Sequence, residues 1–556
     1  MEMEYMVIAV VAAAIIIALS IVSKRLGIAP PLILMLVGVG ISFLPMVPAI
    51  SIEPEIILGV VLPPLLYAAA IAIPTVELRR DFVPVGGLAI ILVVVSAVVV
   101  GFVLHWLLGV NLALGIAMGA ILSPTDAAAT TIVKRLGVPD RVGTILQGES
   151  LLNDATALVL LRSAIAATAT TVSLWQVAGN FAWAALAATV IGALVGWGGV
   201  RLRALVKDTA AATAISFLLP FAAYIPAELL HASGLVSVVA AGLVTAQVGP
   251  KHLSAAQRTS EHSNWHTLEF LLEGGVFFLM GLQVFDLVQK VVAQGDSLWT
   301  AAGLAGLAMV ITLVVRAIYL AFLVKTASAQ AHRQARVSMK WTKARDAMTG
   351  KADDEELQRR IAERREQMRA RIASDDPRAN ERRAHGFEHL KSHVKRYIAD
   401  MEYLMRQPLG PKEGTLLTWA GMRGVVTLAA AQTLPWSVPH RSLLILIAFV
   451  VAAGSLLLQG GTLAWVVKLL GLQGQDSAPE GEWESVQSDL VAAVGRTKVD
   501  QELVGADAEL AAIRAKRDAL LELRSTGSYS ARTLTTALAE LDSEEIAITL
   551  RQSAEE

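Results

Sequence analysis

The sequence predicts an all-α polytopic membrane protein. About thirteen transmembrane helices form two inverted six-helix repeats with crossed broken helices, followed by a cytoplasmic helical insert and a C-terminal helical tail. Three observations carry this. Apolar residues make up 54% of the 556-residue chain and charged residues 17%, where soluble proteins carry nearer ~25% charge. The apolar residues gather in runs of about 20, enough to cross a hydrocarbon core of roughly 30 Å. Two of the runs are interrupted, at Ser123-Pro124-Thr125-Asp126 and at Gly421-Met422-Arg423-Gly424. Cysteine is absent, which excludes disulfides, thiolate metal sites and cysteine nucleophiles.

The chain starts Met-Glu-Met-Glu, acidic where a cleavable signal would be basic, so the first apolar run is expected to stay as a span. Hydropathy places spans at about 5–23, 28–47, 53–73, 82–108, 111–134, 142–169, 174–201, 209–230, 232–249, 265–289, 297–324, 414–435 and 441–470. Lys24-Arg25, Arg79-Arg80, Lys134-Arg135 with Arg141, Arg201, Arg203 and Lys207, and Lys251 with Arg258 follow odd-numbered spans. The other loops hold almost no Lys or Arg, Lys290 and Arg441 excepted. The positive-inside rule then sets a multi-pass protein of the inner membrane, N-terminus outside and C-terminus cytoplasmic.

These spans divide the chain into a membrane domain at 1–324, a charged cytoplasmic insert at 325–413, spans twelve and thirteen at 414–470, and a helical tail at 471–556. In the insert, Glu355-Glu356-Leu357-Gln358-Arg359-Arg360-Ile361-Ala362-Glu363-Arg364-Arg365 pairs Glu with Arg at i,i+3 and i,i+4, which suits a solvated helix. In the tail, Val499, Leu503, Ala506, Leu510, Ile513 and Leu520 keep a 3–4 spacing broken by Arg517. Gly527 to Ser530 reads as a turn, after which Leu534, Leu538, Leu541 and Ile548 resume the pattern. A helical hairpin is expected, self-associating or packed on the membrane domain.

Pro124 removes a backbone N–H and clashes one turn back, so span five should kink or unwind beside Asp126. With span seven as linker, the breaks in spans five and twelve fall at the fifth place of each inverted half. Matching interruptions in inverted repeats point to a midplane site. Span six carries Gly148-Glu149-Ser150-Leu151-Leu152-Asn153-Asp154. A carboxylate in hydrocarbon costs roughly 2.5–3.5 kcal/mol on insertion scales, so such a residue is a functional-site candidate by default. Ser150 and Asp154 are i,i+4, and Ser150 and Asn153 i,i+3, so three oxygen-bearing side chains share one face. That is a site for a small hard cation or a proton.

Ser123-Pro124-Thr125-Asp126-Ala127, Gln147-Gly148-Glu149-Ser150-Leu151-Leu152-Asn153-Asp154, Trp419-Ala420-Gly421-Met422-Arg423-Gly424-Val425-Val426 and Leu62-Pro63-Pro64-Leu65-Leu66-Tyr67 resemble the bacterial Na⁺/H⁺ antiporters of the NhaP and YjcE type, in the monovalent cation:proton antiporter family. The resemblance covers spans one to thirteen; the insert lies outside it, and the tail is only loosely like that of the YjcE branch. It implies an NhaA-like fold, a six-helix core moving against a dimerisation domain, and a homodimer in the lipid bilayer. It implies that Asp154 binds cation and proton in turn. Thr125 through its backbone carbonyl, Asp126 and Ser150 would complete a Na⁺ site, with Asn153 bracing the neighbouring segment. Glu149 and Arg423 would form a buried ion pair. Na⁺, or K⁺ or Li⁺, and H⁺ are the implied substrates; no cofactor, no enzymatic reaction and no nucleic-acid partner is expected. Two departures stand out: Ala68 follows Tyr67 where many relatives carry Glu, and Ala127 stands where others have Pro. The first removes an acidic ligand; the second changes local backbone stiffness.

The chemistry of the residues agrees with this reading. An antiporter needs one group that holds either H⁺ or a metal ion, and a buried carboxylate beside a second acid does this. Neutral Asn153, where electrogenic relatives carry a second Asp, points to electroneutral exchange. K⁺/H⁺ exchange, and Na⁺-coupled transport of an organic solute on the same fold, are alternatives. An intramembrane aspartyl protease fits poorly, because the Gly-x-Gly-Asp context is missing. Glu228, Glu273, Arg162 and Arg316 are expected to be packing or snorkelling residues. His385, His389 and His393 stand at i,i+4,i+8 in the insert, a spacing that can bind zinc but reads as a solvated stripe. His252, His262 and His266 are expected to cluster on a short cytoplasmic loop, an incidental group rather than a pH sensor.

Overall fold

The computed structural model describes residues 30–44, 53–169, 174–348, 403–475, 481–496, 506–527 and 529–555, with 10, 13–19, 21–23, 396 and 399–401. Among them there is no β-strand. Nine of the described helices are long and apolar enough to cross a bilayer. Helical residues at 13–19 and 21–23 precede α1 (Pro30–Ser42), α2 (Pro54–Ala72), α3 (Thr75–Arg80) and α4 (Phe82–Leu108). Then come two short helices, α5 (Leu112–Leu122) and α6 (Ala128–Arg135), and the long α7 (Asp140–Ala169). After these run α8 (Leu174–Leu205), α9 (Thr209–Leu229), α10 (Gly234–His252), α11 (Ala255–Leu282), α12 (Val284–Ala293) and α13 (Leu298–Met348). A second pair of short helices, α14 (Pro411–Trp419) and α15 (Val425–Gln432), precedes α16 (Arg441–Leu470). The tail forms α17 (Glu482–Arg496), α18 (Ala506–Thr526) and α19 (Ala531–Glu555).

Local chemistry sets these ends. Gly109 (φ +66°) closes α4 in the left-handed region, its N–H donating to His105 O, and the Asn111 side chain accepts from Ala113 N at 3.0 Å to open α5. At the other end of α5, Pro124 supplies no N–H, and the Ser123 hydroxyl donates to Gly119 O at 2.8 Å. Three stretches inside the spans, Ile57–Val61, Gly87–Leu92 and Leu456–Gly460, are wound as π-helix.

Packing relies on backbones in close approach, as is usual where no hydrophobic force drives helices together. A Cβ on Gly119 of α5 would fall 2.1 Å from Ala97 O of α4, and one on Gly192 of α8 would fall 2.0 Å from Ser237 O of α10. A Cβ on Gly281 of α11 would likewise fall 2.4 Å from Met35 O of α1.

Contacts divide the chain into two compact units, one of Met1–Leu320, Lys412–Ser477 and Ala539–Glu556, the other of Ala321–Pro411 and Ala478–Leu538. In the second, the Glu482 carboxylate accepts from Ser530 N at 2.7 Å and from the Thr533 hydroxyl at 3.2 Å, holding the start of α19. The tail bends at Gly527 (φ +68°), with Ile513, Leu520, Leu534, Leu541 and Ile548 buried. In the first unit, Arg258 at the start of α11 forms a two-pronged, largely buried ion pair with Asp542 of α19.

Hydropathy ends span eleven near 324, but α13 continues unbroken to Met348, because no Gly or Pro interrupts 325–348. At 51 residues it is about 76 Å long. The Glu355–Arg365 pattern, His385, His389, His393, Val499 and Leu503 lie outside the described residues.

The glycine contacts give a direct test in detergent-purified protein. Gly119→Ala should lower thermal stability, since overpacking costs about 1–3 kcal/mol. Gly303→Ala on α13, where nothing lies within 4 Å, should leave stability unchanged or raise it by up to ~1 kcal/mol. Equal melting temperatures for the two variants would count against this packing.

Candidate functional site

Helix α7 carries four buried polar residues on two successive turns: Glu149 (0% exposed), Ser150 (6%), Asn153 (1%) and Asp154 (7%). They face the gap between α5 and α6, where Thr125 is buried as well. The Asn153 amide donates to the Thr125 hydroxyl at 2.6 Å, and that hydroxyl donates to Glu149 Oε1 at 3.2 Å. One threonine therefore joins the unwound segment to α7 at two points. Ser150 lies one turn before Asp154 on the same face. Asn153 Oδ1 and Asp126 Oδ2 are buried without a hydrogen-bond partner. The Asp126 and Asp154 carboxylates lie within electrostatic reach of each other.

The gap between α14 and α15 meets the gap between α5 and α6. Asp126 N donates to Met422 O at 2.8 Å, a backbone bond between the two breaks. Asp126 lies directly over Gly424, where a Cβ would fall 2.4 Å from its carboxylate. Any other residue at 424 would displace the acid. Arg423 donates through Nε to Leu122 O at 3.0 Å and through Nη1 to Gly421 O, while its own N–H donates to the Ser455 hydroxyl at 2.9 Å. A cation thus rests on the carbonyl end of α5, where the helix dipole is negative.

The expected Glu149–Arg423 ion pair is not formed. Glu149 is gripped through both carboxylate oxygens by Arg316 of α13, Nη2 donating to Oε2 at 2.7 Å and Nη1 to Oε1. The reason is geometric: the Arg423 fork is taken up by the Leu122 and Gly421 carbonyls. Arg316 also donates through Nε to Leu417 O at 2.9 Å, in the last turn of α14. It passes so close to Gly421 that a Cβ there would fall 2.6 Å from Nε. Each broken helix therefore ends its first half against an arginine, Arg423 for α5 and Arg316 for α14. Sequence reasoning set Arg316 aside as a packing residue. The signal it carried was a lone cation deep inside an apolar span, which cannot stay charged there without a partner.

Of the other charged residues in the spans, Arg162 and Glu228 pair with each other at 2.9 Å, and Glu228 also accepts from Gly234 N at 3.0 Å. Tyr67 and Ala68 of α2 are buried, and the Tyr67 hydroxyl donates to Thr245 Oγ1 at 3.1 Å. The position after Tyr67 supplies no acid. Among the described residues no group of three or more His, Cys, Asp or Glu side chains is arranged to hold a metal ion. At the crossing of the two breaks the acids Glu149, Asp126 and Asp154 outnumber the cations Arg316 and Arg423.

The family model for the transmembrane region of sodium/hydrogen exchangers matches residues 10–348. An uncharacterized Na⁺/H⁺ exchanger of Mycobacterium tuberculosis is 29% identical over 471 residues, covering 83% of this chain and 74% of its own. The uncharacterized Na⁺/H⁺ exchanger YjcE of Escherichia coli is 38% identical over 246 residues, 42% of this chain and 45% of its own. A sodium, potassium, lithium and rubidium/H⁺ antiporter of Bacillus pumilus is 30% identical over 306 residues, 53% of this chain and 46% of its own. In fold, the chain is similar to the sodium proton antiporter MjNhaP1 of Methanocaldococcus jannaschii, with a TM-score of 0.58 at 16% identity over 84% of this chain and 99% of the other. On the family match and the helical membrane fold together, the chain belongs to the sodium/hydrogen exchanger family.

Proposed function

We propose that the protein exchanges Na⁺ for H⁺ across the cytoplasmic membrane, one for one and without net charge movement. The observation that carries this reading is the excess of acid where two broken helices cross, Glu149, Asp126 and Asp154 against Arg316 and Arg423. Asp154 takes a proton or a cation, never both, since either one restores neutrality. The cation is held by Asp154, Asp126, the Ser150 hydroxyl and the Thr125 carbonyl, all hard oxygen donors suited to Na⁺. Asn153 braces the Thr125 segment. Glu149, with Arg316, and Arg423 are structural: they neutralise one another and the helix ends.

On this reading the chain has thirteen spans, α8 linking two inverted six-helix halves, with the N-terminus outside and the C-terminus in the cytoplasm. It works as a homodimer by alternating access. K⁺ or Li⁺ exchange at the same site is the second reading. It is favoured by Ala68, which supplies no acid where many relatives do, and by the Bacillus pumilus relative, whose name includes several cations.

In everted vesicles, adding Na⁺ should dissipate an imposed pH gradient, and Asp154→Asn should abolish this. The rate in proteoliposomes should not change when the membrane potential is clamped. Exchange by Asp154→Asn at the parental rate would remove Asp154 from the site. The structural role of the ion pair has its own readout. Arg316→Ala strands a buried carboxylate and should lower stability by about 3–5 kcal/mol, and adding Glu149→Gln should recover a substantial part. Stability equal to the parent in Arg316→Ala would show that the pair is not needed.

A further inference from the structure

Two stretches of the chain are built on one plan: a short helix, an aspartate, a span, a broken helix and a second span. In the first, α3 leads to Asp81, then to α4, the α5–α6 break and α7. In the second, α12 leads to Asp296, then to α13, the α14–α15 break and α16. The entry to the last span is alike in both. Val138-Pro139-Asp140-Arg141 opens α7, and Val438-Pro439-His440-Arg441 opens α16.

In each stretch that entry reaches back to the aspartate, but the cation differs. Arg141 donates to Asp81 Oδ1 through Nε at 2.9 Å and Nη2 at 2.7 Å, the two side chains 7% and 0% exposed. Arg441 is turned away, over Trp436 at 4.0 Å from the ring centre, and donates to the Leu434 and Gln432 carbonyls. His440 takes its place. Its Nδ1 donates to both Asp296 oxygens at 3.0 and 3.1 Å, with the imidazole 56% exposed. It does so from φ +55°, a left-handed backbone that glycine adopts more readily. A cavity of about 280 Å³, lined by Gln294, Trp436, Val438, His440, Arg441 and Ser442, lies beside it. A guanidinium stays charged throughout the physiological pH range, whereas an imidazole gains and loses its charge within it.

The helices that the pair joins give it leverage. Helix α12 continues from α11, which meets α1 backbone to backbone at Gly281. Helix α16 is fastened to the second break, where Arg423 N donates to the Ser455 hydroxyl. Asp296–His440 ties the one group to the other, beside the neutral bond from Gln432 to Gln283. On the elements packed here, Lys290 pairs with Asp286 within α12 at 2.6 Å, and Glu53 and Glu55 stand at the end of α2 that packs on α15. Helices α5 and α15 and the 433–439 loop carry no charged side chain.

We propose that Asp296–His440 is a titratable clamp between these two groups of helices, shut when His440 carries its proton and slack when it does not. His440 is thus a positioning residue that sets how exchange responds to pH on the side of the membrane it faces. The proposal rests on the exchange reading above, whose orientation puts that side outside. As pH falls there, the imidazolium forms, the tie strengthens and movement of one group against the other slows. As pH rises, the charge is lost and the tie relaxes. Arg141 keeps the corresponding tie to Asp81 shut across the same range.

The test uses the full-length protein in right-side-out membrane vesicles at saturating Na⁺, with internal pH fixed and external pH set to about 6 or about 8. His440→Gln should raise the rate at the lower pH by about threefold, the scale of one half-exposed ion pair, and leave the rate at the higher pH within twofold. His440→Lys should hold the rate low at both. Asp296→Asn should reproduce His440→Gln, with no further gain in the double variant, and carries the same test if His440→Gln is not recovered folded. Hydrogen–deuterium exchange over residues 284–297 of the purified protein, corrected for intrinsic rates, reads the clamp without transport. Protection should be greater at the lower pH in the parent and equal at both in His440→Gln. Parental rates at the lower pH in both neutral variants, or a parental protection pattern in His440→Gln, would overturn the proposal. Lack of exchange by the parent protein would overturn the exchange reading itself, and the deuterium series would still decide the clamp.

Discussion

Charges cannot be left alone in a low-dielectric interior, and the Glu149–Arg316 pair is where the chain meets that constraint most directly. Both side chains are almost completely buried, so removing either strands the other. Everything around the pair serves to complete it. Thr125 donates to the Glu149 carboxylate, and Arg316 spends its remaining Nε donor on the last turn of α14. Because Thr125 belongs to one broken helix and Leu417 to the other, the pair ties both interruptions to α7 and α13. A mid-membrane gap in a helix would otherwise expose carbonyls that no water reaches.

Arg423 does the matching work for α5, and the Asp126–Met422 backbone bond closes the crossing. The result is a centre with its structural charges already balanced. What remains is the Asp126 and Asp154 carboxylates, the groups not committed to holding the helices in place. The charges that hold the helices are thereby kept apart from the Asp126 and Asp154 carboxylates.

Hydropathy alone marks most of the long helices closely, since a stretch such as Phe82–Leu108 or Arg441–Leu470 is apolar from end to end and bounded by turn residues. The break at Pro124 is equally legible, because proline's missing N–H is a local fact. Partner choice is not. Arg316 and Arg423 are both cations in or near apolar segments, and which one reaches Glu149 depends on where three helices cross, information spread over the residues between 149 and 423. The π-helical stretches are hidden for the same reason: Gly87–Leu92 reads as ordinary helix and is wound differently by its packing.

The glycine contacts bear on how such a molecule can move. A layer of side chains between two helices is compliant, since rotamers can change and the surfaces creep past each other in small steps. Where backbone meets backbone, as at Gly119 on Ala97, Gly192 on Ser237 and Gly281 on Met35, no such layer exists. Sliding there would drive Cα atoms over carbonyl oxygens. Helices α4 with α5, α8 with α10 and α1 with α11 therefore behave as doubled rods. Large displacements fall to surfaces lubricated by side chains, such as the aromatic seam where Tyr67 of α2 packs on Trp265 of α11 with ring centres 4.9 Å apart.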